Sequence, residues 1–143
     1  MQTGYGSPRG DRPDSAMRTV FLVPLLLSLA ACGAPVPQDP AQAAALERER
    51  AFALCAGCHT VQAGGIHRYG PNLHGVLGRR AGSLPDYAYS DGMRSADIVW
   101  SAETLDAFLR SPSTRVPGTR MYNAFPDPER RRLVIEYLQH NAQ

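Results

Sequence analysis

The sequence contains no lysine: all 15 of its basic side chains are arginine, and 13 acidic residues leave a formal net charge of +2. So small a charge does not indicate a nucleic-acid-binding protein. Long apolar runs are also missing, and none reaches the roughly 20 residues that a membrane-spanning helix needs. No segment shows the alternation of a half-buried strand. With 143 residues, 43% of them hydrophobic, the chain is predicted to form one all-α globular domain with an appendage.

Cysteine is scarce, and its number is odd. Three cysteines, at positions 32, 55 and 58, are too few for a disulfide-stabilised mini-protein. At least one of them therefore has a role other than intramolecular pairing.

The first cysteine ends an apolar segment. Residues 1–16 are rich in Gly, Pro, Arg and Asp, and they are expected to be disordered or to precede the true start at Met17. Residues 17–31 contain an apolar run of the length found in secretory signals, and the ending Leu29-Ala30-Ala31-Cys32 resembles a bacterial lipoprotein signal. The resemblance implies export, cleavage before Cys32 and lipidation of that cysteine. An ordinary secretory peptide and a short uncleaved anchor are the alternatives. Residues 32–40 are then a proline-rich tether, and residues 41–143 are the folded domain.

The other two cysteines lie in Cys55-Ala56-Gly57-Cys58-His59, the C-x-x-C-H pattern of covalent haem attachment. Two thiols at this spacing can each reach one vinyl group of the porphyrin, and the histidine is then carried beneath the ring as the proximal iron ligand. A thioredoxin-like pair needs a preceding strand, and a zinc site needs four ligands. Because His67, His74 and His140 could complete a zinc site, zinc, thiol redox and a plain disulfide remain alternatives.

The second axial position decides the chemistry, because an open iron face binds gases or peroxide whereas two protein ligands favour electron transfer. Met121 follows Pro117-Gly118-Thr119-Arg120, a rigid turn that can hold a side chain over a flat cofactor. Met93 lies in a predicted short helical turn and is expected to pack in the core. The residues alone leave three possibilities: Met121, one of His67 and His74, or an open face.

Three helices are predicted from capping residues and apolar spacing. They begin at Asp39-Pro40, Ser101 and Asp127-Pro128; the first ends near Leu54 and the second before Ser111-Pro112. Their predicted apolar faces, in chain order, are Ala45, Leu46, Phe52 and Ala53; Leu105, Phe108 and Leu109; and Leu133, Val134, Tyr137 and Leu138. The remaining segments are predicted to be loops around a cofactor that supplies much of the core.

Several short motifs follow the haem-attachment pattern along the chain, in a fixed order and at fixed separations. They are Cys55-Ala56-Gly57-Cys58-His59-Thr60-Val61, Gly70-Pro71-Asn72-Leu73-His74-Gly75, Gly78-Arg79, Tyr87-Ala88-Tyr89-Ser90-Asp91, Trp100 and Pro117-Gly118-Thr119-Arg120-Met121. In these motifs the chain resembles class I c-type cytochromes, most closely the mitochondrial-type cytochrome c branch, over about residues 46–140. The resemblance implies a small class I cytochrome c fold in which the terminal helices cross and loops wrap around one haem.

The resemblance also implies roles for individual residues. Cys55 and Cys58 would form the thioethers to haem c, and His59 and Met121 would be the axial iron ligands. Pro71 lies where the family's backbone carbonyl accepts the N–H of the proximal imidazole, which orients the ring.

Three further residues, Arg79, Tyr89 and Trp100, match positions whose side chains hydrogen-bond or neutralise the haem propionates. Such donors are needed because burying the propionates unpaired would be costly. Four residues depart from the family, namely Phe108, Met93, Asn123 and Arg48, and two of them concern the hydrogen bonding and the edge of the haem. Phe108 stands where a tyrosine often hydrogen-bonds near the methionine sulfur, and Asn123 replaces an aromatic beside the haem edge. Both are expected to alter the potential or the partner surface.

By this resemblance we expect a non-enzymatic, monomeric one-electron carrier, exported and lipid-anchored at the periplasmic face of a bacterial membrane. The expected partners are a quinol–cytochrome reductase complex and a terminal oxidase or reductase. Residues from Cys32 onward include 12 arginines and 11 acidic residues, so long-range electrostatic steering should be modest. The alternative is a haem sensor or peroxidase-like enzyme from which Met121 dissociates.

Overall fold

The computed structural model describes residues 39–142, and in this range the chain forms five helices. These are α1 (Pro40–Phe52), α2 (Asp91–Ser95), α3 (Ala102–Arg110), α4 (Pro112–Arg115) and α5 (Pro128–His140). The same range contains no strand, only an isolated antiparallel bridge between Arg80 and Val99. The predicted all-α class is therefore confirmed. None of the described helices is both long and apolar enough to cross a membrane. The predicted signal segment, Cys32 and the tether up to residue 38 lie outside the described residues.

The three predicted helix starts are confirmed by their caps. The Asp39 side chain accepts a hydrogen bond from the Ala41 N–H at 2.9 Å. Ser101 and Thr104 form a reciprocal capping box. Asp127 accepts from the backbone of the first turn of α5 at 3.0 Å. Each cap satisfies backbone donors that the helix itself leaves unpaired.

The first helix differs from its prediction in length and in face. It ends at Phe52, two residues before the expected Leu54, because the next residues form tight turns. Ala45 and Ala53 are exposed, so their assignment to the apolar side was wrong. Phe52 is buried as predicted.

The terminal helices α1 and α5 pack together through a stacked aromatic pair. The rings of Phe52 and Tyr137 lie 4.5 Å apart between centroids at an angle of 19°, which is a favourable offset-stacking distance. From α5, Val134, Ile135 and Leu138 are buried in the core. The first and the last helix are therefore in direct contact.

A buried arginine joins α5 to α3, a feature that the sequence patterns did not predict. Arg131 is 5% exposed, and its Nε donates to Asp106 on α3 at 2.6 Å. Its Nη1 donates to the carbonyls of Phe125 and Pro126, each at 2.8 Å. These partners compensate the burial of the charge and position the segment that leads into α5.

Two short helices complete the fold. The turn predicted around Met93 is α2, capped by Ser90, whose hydroxyl accepts from the Met93 N–H at 3.3 Å. Pro112 ends α3 as predicted, but it also begins α4, which the sequence patterns did not indicate. Proline is favoured at a first helical position because its missing N–H would be unpaired there anyway.

Candidate haem-binding site

A cavity of about 250 Å³ lies in the core, and all eight residues predicted for the haem site in the folded domain line it. They are Cys55, Cys58, His59, Pro71, Arg79, Tyr89, Trp100 and Met121. The rest of its wall is largely apolar and includes Leu73, Val76, Leu105, Phe108, Leu109, Phe125, Val134 and Leu138. The fold thus gathers residues from positions 52 to 138 around one apolar space.

Tight turns after α1 position the haem-attachment motif. The Cys55 N–H donates to the Phe52 carbonyl at 2.7 Å, and the N–H groups of Cys58 and His59 donate to the Cys55 carbonyl at 3.0 and 2.9 Å. These bonds turn both cysteines and the histidine toward the same cavity. Cys55 is buried, Cys58 is exposed, and both are free thiols, so the disulfide alternative is not present.

His59 is held by one ring nitrogen only. Its Nδ1 lies 2.8 Å from the Pro71 carbonyl, to which an Nδ1–H donates, and this leaves Nε2 as the lone-pair nitrogen. Burial lowers the pKa of His59, against a raising effect of the Pro71 hydrogen bond. The buried ring is therefore favoured as neutral imidazole, the form that binds a metal.

Gly70 leaves the space in which the His59 ring lies. A Cβ at this position would be 2.1 Å from His59 Cε1 and 2.6 Å from both ring nitrogens. The Gly70 N–H in turn donates to the Cys58 carbonyl at 2.8 Å. Close backbone approach therefore requires glycine directly before Pro71, a requirement that the sequence patterns did not indicate.

Asn72 is a second residue whose role was not predicted. Its side chain is buried and donates to Thr60 Oγ1 at 2.7 Å and to the Gln62 carbonyl at 2.9 Å. Its Oδ1 accepts from the His74 N–H at 2.9 Å. Asn72 thereby fastens the loop that follows His59 to the segment that supplies the Pro71 carbonyl. An asparagine after Gly-Pro was the available signal, because such side chains pair with nearby backbone.

Neither His67 nor His74 lines the cavity, so neither fits the second axial position. His67 Nδ1 accepts from the Asn72 N–H at 2.9 Å, and its Nε2 lies 3.0 Å from Asp86. His74 Nδ1 lies 3.0 Å from the carbonyl of Asn141. The positions of both histidines therefore argue against the histidine alternative for the second ligand. Residues 39–142 also contain no group of three or more His, Cys, Asp or Glu side chains arranged to hold a metal ion, which argues against the zinc alternative.

Met121 reaches the cavity from a turn between α4 and α5. Its N–H donates to Thr119 Oγ1 at 3.2 Å, and Thr119 is 3% exposed. Gly118 adopts φ +79°, a left-handed conformation that glycine adopts without strain. The turn is anchored at its start by Val116, which is 1% exposed. The predicted rigid turn before Met121 is thus present.

Paired backbone segments position Arg79 and Trp100. The Trp100 N–H donates to the Arg79 carbonyl at 2.9 Å, and the Trp100 carbonyl accepts from Gly78 at 2.8 Å. The Arg79 guanidinium donates to the carbonyls of His74 and Asn72 at 3.0 and 2.9 Å. Within residues 39–142 no carboxylate forms an ion pair with Arg79. A half-buried guanidinium bound only to neutral carbonyls leaves its charge available for an anionic group.

Tyr89 lies near this guanidinium. Burial raises the pKa of Tyr89, and the positive charge of Arg79 opposes the rise. Burial also lowers the pKa of Arg79, but arginine remains protonated in proteins. The phenol is therefore neutral near pH 7, and it offers an O–H donor beside a permanent cation.

The donor set fits a covalently attached haem. Two thiols and a histidine follow the attachment spacing, a thioether sulfur from Met121 reaches the same cavity, and the intervening walls are apolar. Phe108 is buried and packs on Trp100 with ring centroids 5.2 Å apart. This aromatic packing is present where the family often has a tyrosine hydroxyl that forms a hydrogen bond.

Comparison with known proteins gives the same assignment. The chain is 43% identical over 106 residues to cytochrome c of Theileria annulata, covering 73% of this chain and 88% of that protein. It is 41% identical over 86 residues to cytochrome c of Ginkgo biloba, covering 59% and 76%. The solved structure of cytochrome cH from Methylobacterium extorquens superposes with a TM-score of 0.62 at 35% identity, covering 67% of this chain and 97% of that one. No protein-family model matches the chain. The chain therefore belongs to the cytochrome c family and is a non-enzymatic electron-transfer protein with one covalently attached haem c.

Proposed function

We propose that this protein is a one-electron carrier in which His59 and Met121 are the two axial ligands of the haem iron. The observation that carries the proposal is that both side chains line one apolar cavity, while His67 and His74 are bound elsewhere. With both axial positions filled by protein, iron has no open face for a substrate, and electron transfer is the chemistry that remains.

The chain's own residues hold and orient the group. Cys55 and Cys58 would supply the two thioether sulfurs, and the Pro71 carbonyl fixes the His59 ring through the 2.8 Å hydrogen bond. That bond also polarises the Nδ1–H of His59, which would make its Nε2 a stronger electron-pair donor to the iron. Haem supplies an iron that exchanges one electron between its ferric and ferrous states.

Arg79, Tyr89 and Trp100 would bind the propionates. The guanidinium of Arg79 faces the cavity without a carboxylate partner in the described chain, and burial keeps Tyr89 protonated as a donor. Desolvated carboxylates need such partners. The apolar walls would keep water away from the haem, which would limit the reorganisation that accompanies electron transfer and would favour the reduced state, in which the iron carries less charge.

A redox-titrated optical spectrum of the purified holoprotein, with and without carbon monoxide, tests this function. We expect reversible one-electron behaviour, a methionine-ligation charge-transfer band in the oxidised protein, and no carbon monoxide binding at neutral pH. Met121→Ala should lose the band, bind carbon monoxide when reduced and have a lower potential, because methionine ligation raises it. Rapid carbon monoxide binding by the wild-type protein would instead support a sensor or peroxidase-like enzyme with a labile Met121.

We also propose that the carrier is exported and tethered by a lipid on Cys32 at the periplasmic face of a bacterial membrane. The ending Leu29-Ala30-Ala31-Cys32 and the preceding apolar run support this. The proposed partners are a quinol–cytochrome reductase complex and a terminal oxidase or reductase. Because steering by net charge is weak, confinement near membrane-bound partners would raise the effective concentration.

The tether is tested by Cys32→Ala expressed in intact cells. We expect the variant to move from the membrane fraction to the soluble fraction and to reduce the oxidase more slowly in membranes. If Cys32→Ala stays in the membrane and supports the same oxidase rate, the tether proposal fails. That result would leave the proposed haem ligation unaffected, because the optical spectrum tests it separately.

A further inference from the structure

Arg130 lies beside the haem cavity and has no part in the proposed attachment of haem, ligation of iron or binding of propionates. It is the third residue of α5, and its guanidinium carbon lies 5.9 Å from the centroid of the Phe125 ring. A cation over an aromatic face at this distance is attracted by the ring. Phe125 itself forms part of the haem cavity wall, so the ring separates the charge from the haem.

The charge of Arg130 has little compensation. Its Nε is buried and has no hydrogen-bond partner among residues 39–142. Asp127 and Arg130 both line a second cavity, but the Asp127 side chain caps α5 by accepting from the Glu129 N–H at 3.0 Å. Neither the Asp127 nor the Glu129 carboxylate forms an ion pair with Arg130, and Glu129 pairs with Arg132 instead. The Phe125 ring is the main partner that the described chain offers the cation.

The field of Arg130 reaches the buried attachment cysteine. Burial raises the pKa of the Cys55 thiol to about 11, and the positive charge of Arg130 opposes that rise. The charge therefore acts at the position from which the buried thioether would hold the haem. A field that crosses protein rather than water is stronger and less screened by salt.

From this placement we infer that Arg130 raises the reduction potential of the haem, as an electrostatic residue that acts through space past Phe125. The inference rests on the proposed function, because only a redox-active haem has a potential to shift. Reduction adds one electron to the iron and moves no proton to or from Arg130. A fixed positive charge therefore stabilises the reduced form relative to the oxidised form.

Three variants of the holoprotein separate charge from packing. Arg130→Gln removes the charge and keeps a polar side chain. Arg130→Lys keeps the charge on a smaller, ammonium group. Arg132→Gln is the matched control, because it removes an equal charge two positions along α5 from an exposed arginine that is paired with Glu129 and Glu136. The midpoint potential of each is measured by optical redox titration at low and at high salt.

We expect the equilibrium constant for reduction to fall about threefold to tenfold in Arg130→Gln, and tenfold is about 59 mV for a one-electron couple. This difference should persist at high salt, while Arg130→Lys and Arg132→Gln stay near the wild-type value. Equal potentials for Arg130→Gln and Arg132→Gln would overturn the inference, as would a fall in Arg130→Lys as large as that in Arg130→Gln. If Arg130→Gln does not assemble with haem, Arg130→Met, which also removes the charge, takes its place in the comparison with Arg132→Gln. A wild-type protein without redox-active haem would contradict the proposed function instead.

Discussion

At the scale of single residues, the histidine that would bind iron depends on neighbours that have no redox chemistry. Pro71 offers a carbonyl, Asn72 fastens the loop that carries it, and Gly70 leaves the space that the ring fills. A ligand is useful only when its ring is both oriented and neutral, and these residues provide both conditions.

Gly70→Ala tests this support. The new Cβ would lie 2.1 Å from His59 Cε1, and because the contact is with a ring held in place by Pro71, the ring cannot yield without losing its hydrogen bond. We expect much less haem-loaded protein, and weakened axial ligation in what is recovered, measured by the haem-to-protein absorbance ratio and the spectrum of the reduced form.

Gly57→Ala is the matched control, because a Cβ there has nothing within 4 Å. It should retain full haem content. Equal haem content in Gly70→Ala and Gly57→Ala would show that the His59 ring has more room than the structure indicates.

At the scale of the helices, α5 is joined to α3 by an ion pair whose arginine is buried and whose aspartate is partly exposed. The side chains of Arg131 and Asp106 are 6% and 36% exposed. Removing one partner from such a pair leaves an uncompensated charge and, here, the unpaired carbonyls of Phe125 and Pro126.

Arg131→Met should therefore lower the free energy of unfolding by about 3 kcal/mol, measured by urea denaturation of the holoprotein. Arg132→Met, on the exposed side of the same helix, should change it little, because exposed pairs are weak. A similar, small change in both variants would contradict a structural role for the Arg131–Asp106 pair.

The short helix α2 supports the methionine turn. A Cβ on Gly92 would lie 2.0 Å from the Pro117 carbonyl oxygen, so α2 and the Pro117-Gly118 turn meet backbone to backbone. We expect Gly92→Ala to displace this turn and weaken Met121 ligation, seen as carbon monoxide binding to the reduced protein.

Ser95→Ala, on the exposed end of α2, removes only hydrogen bonds within that helix and should leave carbon monoxide excluded. Exclusion in both variants would mean that Met121 is held independently of α2.

At the scale of the whole molecule, the haem cavity and the hydrophobic core are largely the same region. Of the sixteen apolar residues that are buried among positions 39–142, ten line the cavity. Without haem these side chains would enclose apolar space instead of packing on a partner.

We therefore predict that the chain without haem lacks a cooperative native fold, because a group that binds only the folded state contributes its binding energy to folding. The double variant Cys55→Ala/Cys58→Ala, purified without haem, should show reduced far-ultraviolet helical signal and no cooperative urea transition. The wild-type holoprotein is the reference. A cooperative transition in the haem-free variant would contradict the prediction.

Much of the fold was predictable because its signals are local. Asp39, Ser101 and Asp127 cap helices through atoms two or three residues away, and the face formed by Leu105, Phe108 and Leu109 follows from helical period alone. Ala45 and Ala53 were assigned wrongly because helical period shows only which residues share a face. Whether that face is covered depends on where α5 lies.

The haem attachment, and the histidine proposed as the proximal ligand, could be predicted from five consecutive residues, because covalent geometry within one turn is independent of the rest of the chain. The choice between Met121, His67 and His74 could not be made from residue types and spacing, since each was chemically suitable. The tertiary structure favours Met121, because it places both histidines outside the cavity, where they pair with Asn72, Asp86 and Asn141. It also places Arg131 in the core and Arg130 behind Phe125. The chemistry of a site can be written in a short segment, but the environment of a charge is set by residues that meet only when the chain is folded.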